Sequence, residues 1–242
     1  MNKLENTTVL VTGGAVRIGR SIALAAAEEG ANLVIQYNNS ISEAETLQKD
    51  IEALGRKAVV YQADFASPQD CLRFAQKTFS EQKIDAVINH ASIFADLSWD
   101  DTTLESWNDH LAVNLTAPYL ISKEFALSFK GDRKGRIINL LDWRAFRPGP
   151  DHLPYTISKA GLAALTQSLA ISLAPEITVN GIALGAILPP SDGGKVEDLV
   201  SSLPIPRWAE LDEVSELLLF LLTGPTYITG EIIHLDGGRH LV

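Results

Sequence analysis

Short apolar runs alternate with helix-length amphipathic segments along the whole chain, and this alternation restricts the fold more than any other feature. Strands are expected at 7–11, 32–36, 58–61, 86–88, 136–140, 178–182 and 231–235, with helices at 17–29, 42–54, 68–81, 108–128, 154–173 and 211–222. Strands that alternate with helices of ten or more residues form βαβ units around a parallel sheet. Right-handed crossovers then put helices on both faces. The expectation is a doubly wound, seven-stranded α/β sheet in a single domain, 1–242. In such sheets ligands bind outside the carboxyl ends of the strands, at the switch point. Two long connections, 142–153 and 185–206, follow strand ends and carry Pro148, Pro150, Pro189, Pro190, Pro204 and Pro206. Long loops in compact domains are commonly functional, so both are expected to wall a pocket.

Directly after the first strand stands Thr12-Gly13-Gly14-Ala15-Val16-Arg17-Ile18-Gly19. Glycine at a strand end permits a tight turn, and the helix that follows points free N–H groups and its positive end at a pyrophosphate. An ordinary strand–helix turn would also hold glycines, but the place on the first βα turn favours a Rossmann-type dinucleotide site. NAD-binding chains place an acid near the end of the second strand. Here that stretch is Gln36-Tyr37-Asn38-Asn39-Ser40, without an acid, and Arg17 offers a cation for a 2′-phosphate. NADPH is therefore the expected cofactor. Asp64, beside Phe65, is a candidate for the adenine amino group, and Asn89 and Ala91 are expected against the cofactor. For His90 a structural imidazole is favoured over a catalytic base.

Tyr155 and Lys159 are four apart and share one helical face. An ammonium beside a phenol favours phenolate and makes the tyrosine a usable proton donor. Tyr119 and Lys123 repeat the spacing mid-helix, away from a strand end, and are assigned to packing or surface. The net charge of -10 speaks against a nucleic-acid partner. No run of apolar residues is long enough for a membrane span, and the start lacks an apolar signal core. The single cysteine, Cys71, fits a reducing compartment, so a cytoplasmic location is expected. No metal site is expected.

Taken together, Thr12 to Gly19, Asp64, Asn89-His90-Ala91, Asn114, Tyr155 with Lys159, Asn180 to Gly185 and Leu235-Asp236-Gly237-Gly238 resemble the short-chain dehydrogenase/reductase family over nearly the whole length. The resemblance implies that Tyr155 gives the proton and that Lys159 lowers its pKa and binds the nicotinamide ribose. It implies that Asn114 holds a relay water and that Gly185 and Ile187 touch the nicotinamide. It also implies a homotetramer, with the alanine face Ala160, Ala163, Ala164 open to close helix approach.

Three departures narrow the resemblance: Arg17 and Ser92 stand where the family has glycine, and Asp142 where it has serine. Pteridine reductases share all three, and the chain is most similar to bacterial dihydromonapterin reductases, which are described as also reducing dihydrofolate weakly. A serine hydroxyl stabilises the oxyanion of a carbonyl under reduction, and a carboxylate would repel it. Asp142 suits a substrate that takes a proton on nitrogen, as a dihydropterin does; its competing reading is a loop cap. Phe94 could stack on the flat ring or simply wall the pocket, and Ser92 is a further substrate candidate. Trp143 and Arg144 lie beside the pocket without an assigned role. The expected reaction reduces a 7,8-dihydropterin to a tetrahydropterin. The alternatives are an NADPH-dependent carbonyl reductase, such as a 3-oxoacyl thioester reductase, and a non-catalytic NADPH-binding regulatory protein.

Overall fold

The computed structural model describes residues 3–130, 134–189 and 200–242. Part of the 185–206 connection, including Pro190, lies outside the described residues. Seven strands form one all-parallel sheet: β1 (Thr8–Val11), β2 (Asn32–Tyr37), β3 (Ala58–Gln62), β4 (Ala86–Asn89), β5 (Gly135–Asp142), β6 (Ile177–Leu184) and β7 (Ile232–Leu235). Their order is β3-β2-β1-β4-β5-β6-β7, as a doubly wound fold requires. The chain winds outward from β1 to β3, returns to β4 on the other side of β1, and winds outward again. The crevice between β1 and β4 is therefore the switch point.

The strands are apolar throughout because helices cover both faces. Side chains alternate between faces along each strand. Val9 and Val11 join one buried cluster with Ile22 of α1 (Arg17–Glu28), Leu47 of α2 (Ile41–Ala53) and Leu218 of α7 (Leu211–Thr223). Leu10 joins the other with Phe74 of α3 (Pro68–Glu81) and Phe125 of α5 (Ala117–Ser128). Fully burying side chains of this size contributes about 1.5–3 kcal/mol each. The longest helix, α6 (Leu153–Leu173), starts with Pro154 in its first turn, where a missing N–H costs nothing.

The expected helix at 108–128 is in fact two. Helix α4 (Leu104–Leu111) begins earlier, at a capping box made by Thr103 and Ser106. It ends in a π turn, Ala112–Thr116, before α5 begins. Pro118 has no N–H for the carbonyl of Asn114, and the chain widens to an i→i+5 bond from Ala117 to Ala112. Strand β5 also outruns its expected end, so Asp142 closes the strand instead of opening the loop. The alanine face divides within the subunit: Ala163 is buried against Leu141 and Ala183, and Ala164 is exposed. No helix among the described residues is long and apolar enough to cross a membrane.

Candidate active site

The carboxyl edge of the sheet gathers most of the expected residues. Gly13 adopts a left-handed backbone, φ +61°, and a Cβ there would sit 2.9 Å from Ala91 Cα. A Cβ on Gly19 would lie 2.3 Å from the Gly13 carbonyl oxygen and 2.9 Å from His90 Nδ1. These contacts explain the glycines: two backbones and an imidazole meet where only hydrogen fits. The Gly13 and Gly14 N–H groups donate to Gln36, at 2.8 Å to Oε1 and 3.1 Å to its carbonyl. The shape of the turn is thus fixed internally. Anion-facing N–H groups come instead from the start of α1 around Ile18, where no side chain caps the helix and no acid stands in the first turn.

Arg17 departs from its expected place. Its Nη2 donates to the Pro189 carbonyl at 2.9 Å, beyond β6. In the strand order β6 and β2 lie on opposite sides of β1, so the guanidinium leans away from the 2′-phosphate corner. That corner holds Asn38, Asn39 and Ser40, with Ser40 as the N-cap of α2 and making no capping bond of its own. Asn38 Nδ2 donates to Asp64 Oδ1 at 3.4 Å, joining two cofactor candidates. Phe65 is buried against Phe74, which leaves only its backbone for a ligand. His90 is structural: its N–H donates to Thr12 Oγ1 at 3.0 Å, its ring packs under the glycines, and burial pulls its pKa down to about 4.

Asn89 donates to Asn139 Oδ1 at 2.8 Å, Asn139 to Thr166 Oγ1 at 2.8 Å, and Thr166 to the Leu162 carbonyl at 2.7 Å. This buried chain locks β4 and β5 to α6 beneath the site. The Asn89 Oδ1 atom is buried without a hydrogen-bond partner among the described residues. Gly185 donates to the Leu235 carbonyl, and Ile187 is buried at the same strand end.

At the reacting end, the Tyr155 hydroxyl donates to Asp142 Oδ2 at 3.1 Å. The other carboxyl oxygen, Oδ1, accepts from the Arg144 N–H at 2.8 Å. Asp142 therefore caps the 3₁₀ turn Trp143–Ala145, as the loop-cap reading expects, and also faces the tyrosine. Lys159 Nζ donates to the Leu140 carbonyl at 2.8 Å and lies 5.7 Å from the centre of the Tyr155 ring. Burial lowers the Lys159 pKa to about 8. Burial raises Asp142 above the usual carboxylate range, against the pull of the Arg144 N–H and Lys159.

The expected lowering of the tyrosine does not occur. Burial, with the Asp142 charge and hydrogen bond, holds Tyr155 well above 10. The physical reason is distance and dielectric: the carboxylate touches the hydroxyl and the ammonium does not. Tyr155 is a neutral phenol at neutral pH.

The Asn114 side chain is held within the protein. Its Oδ1 accepts from Ser92 Oγ at 3.1 Å and the Ile93 N–H at 2.9 Å; its Nδ2 donates to the Ile93 carbonyl and Ser158 Oγ, each at 3.0 Å. These bonds engage the side chain, and its backbone carbonyl faces Pro118, which has no N–H to give it. Ser158, unmarked in the sequence reading, links it to the Tyr155 carbonyl at 2.6 Å. Its signal was the helical spacing from Tyr155. Phe94 is 59 % exposed, sits edge-on to Tyr155 at 4.7 Å and stacks on His152 at 4.1 Å. His152 was missed; its left-handed backbone, φ 50°, is a feature that only coordinates reveal.

Residues 14–240 match the family described as enoyl-(acyl carrier protein) reductase. A 3-oxoacyl-[acyl-carrier-protein] reductase of Synechocystis sp. is 31% identical over 98% of this chain and 98% of its own length. The crystal structure of FolM alternative dihydrofolate reductase 1 from Brucella canis, complexed with NADP, is 35% identical. It covers 99% of this chain and 96% of that one, with a TM-score of 0.91. A short chain dehydrogenase from Burkholderia cenocepacia, also in complex with NADP, is 34% identical over 98% of this chain and 99% of that one, with a TM-score of 0.91. Family match, full-length relatives and a tyrosine–lysine pair at the carboxyl edge of a doubly wound sheet together place this chain in the short-chain dehydrogenase/reductase family.

Proposed function

We propose that this chain is a cytoplasmic, homotetrameric, NADPH-dependent reductase of 7,8-dihydropterins. The observation that carries the reading is the half-buried Asp142 carboxyl, bonded to the Tyr155 hydroxyl at 3.1 Å, where a carbonyl reductase needs a neutral donor. Its likeness to FolM alternative dihydrofolate reductase 1 supports the same choice. NADP(H) fits the residues present: the glycine cradle leaves no room for a Cβ, the start of α1 is uncapped, and the buried Asn89 Oδ1 atom at the end of β4 has no partner among the described residues. Ser40 and the start of α2 would take the 2′-phosphate, with Asn38 and Asn39 beside it.

When bound, the cofactor supplies a hydride to the C=N carbon of the pterin ring. The chain supplies the proton. Tyr155, a phenol at neutral pH, would be the proton donor to the ring nitrogen. Asp142 serves two ends. As a carboxylate it accepts ring N–H donors and orients the ring, and its raised pKa lets it receive a proton and refill the tyrosine. Lys159, tied to the Leu140 carbonyl, holds positive charge beneath the ring and binds the ribose. Phe94 forms the wall against which the flat ring stacks.

A second reading, reduction of a 3-oxoacyl thioester, is favoured by the name of the Synechocystis relative. NADPH oxidation with dihydromonapterin, dihydrobiopterin, dihydrofolate and an acetoacetyl thioester separates the two. Turnover of a dihydropterin and not the thioester is the expected result. Turnover of the thioester alone sinks the dihydropterin reading.

A further inference from the structure

The segment after β7 runs between the two pocket walls. Toward the 185–206 side, the Ile205 N–H donates to the Gly237 carbonyl at 3.0 Å, and a Cβ on Gly238 would meet Pro204 Cγ at 2.9 Å. Toward the 142–153 side, Arg147 Nη1 donates to the Arg239 carbonyl at 3.3 Å. The Arg239 guanidinium lies over Trp143, the residue after Asp142, with its Cζ 4.3 Å from the ring centre. On the same wall His234 stacks on His240 at 4.0 Å, and Asp236 holds His240 Nδ1 at 2.7 Å. The C-terminal turn is thus held from both sides, with Arg239 beside the residue that follows Asp142.

Three arginines converge here in a chain of net charge -10. Arg144 is neutralised by a two-pronged pair with Asp151, at 2.8 Å and 2.8 Å. Arg147 is engaged by the Arg239 carbonyl. Arg239, though only partly exposed, has no carboxylate or carbonyl partner for its guanidinium among the described residues. Partial burial, with the neighbouring Arg144 charge, lowers its pKa, while Asp142, Asp151 and Asp236 act the other way from a distance without a hydrogen bond to it. Stacking on indole fixes the guanidinium plane and leaves its edge N–H groups free, the geometry that a carboxylate fork matches.

We propose that Arg239 receives a carboxylate on the tail of the substrate, with the reacting ring at Tyr155 and Asp142 and the tail passing Trp143. The inference rests on the dihydropterin reading and narrows it to pterins with an anionic tail. Calorimetric titration of the NADP⁺-loaded protein with folate, whose tail is a dicarboxylate, and with biopterin, whose tail is neutral, tests it. A charge-assisted pair predicts folate binding weakened about 10- to 100-fold in Arg239→Gln, with biopterin changed less than about twofold. Arg239→Lys should recover part of the loss, and added salt should narrow the folate preference. Equal loss for both ligands, or no loss for folate, overturns the role of Arg239 while leaving the dihydropterin reading in place. Failure of the wild type to bind either pterin, alongside thioester turnover, overturns both.

Discussion

Replacing Asp142 by asparagine separates the stability of the site from its chemistry. The carboxylate accepts two hydrogen bonds, from the Arg144 N–H at 2.8 Å and the Tyr155 hydroxyl at 3.1 Å. Asparagine keeps one acceptor oxygen, so the Arg144 N–H bond can persist without its charge-assisted part, while the NH2 that replaces the other oxygen cannot accept from the Tyr155 hydroxyl; the two changes together cost about 2 kcal/mol. Against this stands the desolvation of a buried carboxylate, several kcal/mol in comparable sites. The raised Asp142 pKa says that burial outweighs its partners. An acid with a raised folded pKa binds its proton more tightly in the folded state, so its stabilising effect is full below the ordinary carboxylate value. That effect is lost as pH rises through the raised value. Asp142→Asn should therefore gain stability relative to wild type as pH rises from about 4 to 8, measured by urea denaturation at each pH. Its dihydropterin kcat/KM should fall about 10²- to 10⁴-fold, the usual contribution of a positioned acid or base. Removing the negative charge also withdraws its support of the Lys159 ammonium, so the basic limb of the surviving activity should move to lower pH. A folded variant that keeps dihydropterin kcat/KM within about threefold of wild type would refute the reasoning, since such a loss is small beside the effect of a true proton-handling group.

Other perturbations test neighbouring parts. Tyr155→Phe should abolish turnover while NADPH binding, followed by fluorescence, stays intact; retained turnover would move the proton source elsewhere. Lys159, with its pKa near 8, loses its ammonium above that pH, so kcat/KM should decline with a basic limb close to pH 8. The stability cost of burying its charge is relieved as pH rises from there toward the ordinary lysine value, so unfolding free energy should not fall with activity. Gly13→Ala forces a side chain into a left-handed backbone and against Ala91, costing about 1–2 kcal/mol and much of the NADPH affinity; thermal shift with and without NADPH reads both. Thr166→Val orphans the buried Asn139 amide and should cost about 1–3 kcal/mol in denaturant unfolding.

The fold was largely legible because each strand is an apolar run bounded by turn residues and each helix carries its own periodicity. Where the reading erred, the cause is local. The π turn at Ala112–Thr116 hides within continuous helical periodicity, and only Pro118 signals that the ladder must change. Asp142 extends β5 because strand pairing with Leu184 outweighs the turn preference of an aspartate. Arg17 shows a different limit: a long side chain on a turn can reach either side, and its bond to Pro189 depends on a loop 172 residues away in sequence.

The site was legible as a set of residues and not as a set of charges. Spacing places Tyr155 and Lys159 on one face, and from spacing alone the ammonium should depress the phenol. The outcome depends on which charge touches the hydroxyl, and that is decided by Asp142, thirteen residues earlier, at the end of a neighbouring strand. With serine in that place, the phenol would face a neutral partner and the lysine would be the nearest charge. With aspartate the order reverses: the lysine offsets the carboxylate, the carboxylate holds the phenol neutral, and the three form one unit that stores a proton. A developing oxyanion gains nothing from such a unit, whereas a ring nitrogen that needs a proton, flanked by N–H donors, is matched at each of its three groups. On the proposed dihydropterin reading, one substitution at the strand end changes the kind of bond the site is suited to reduce, while the fold and the tyrosine–lysine pair of the family stay in place.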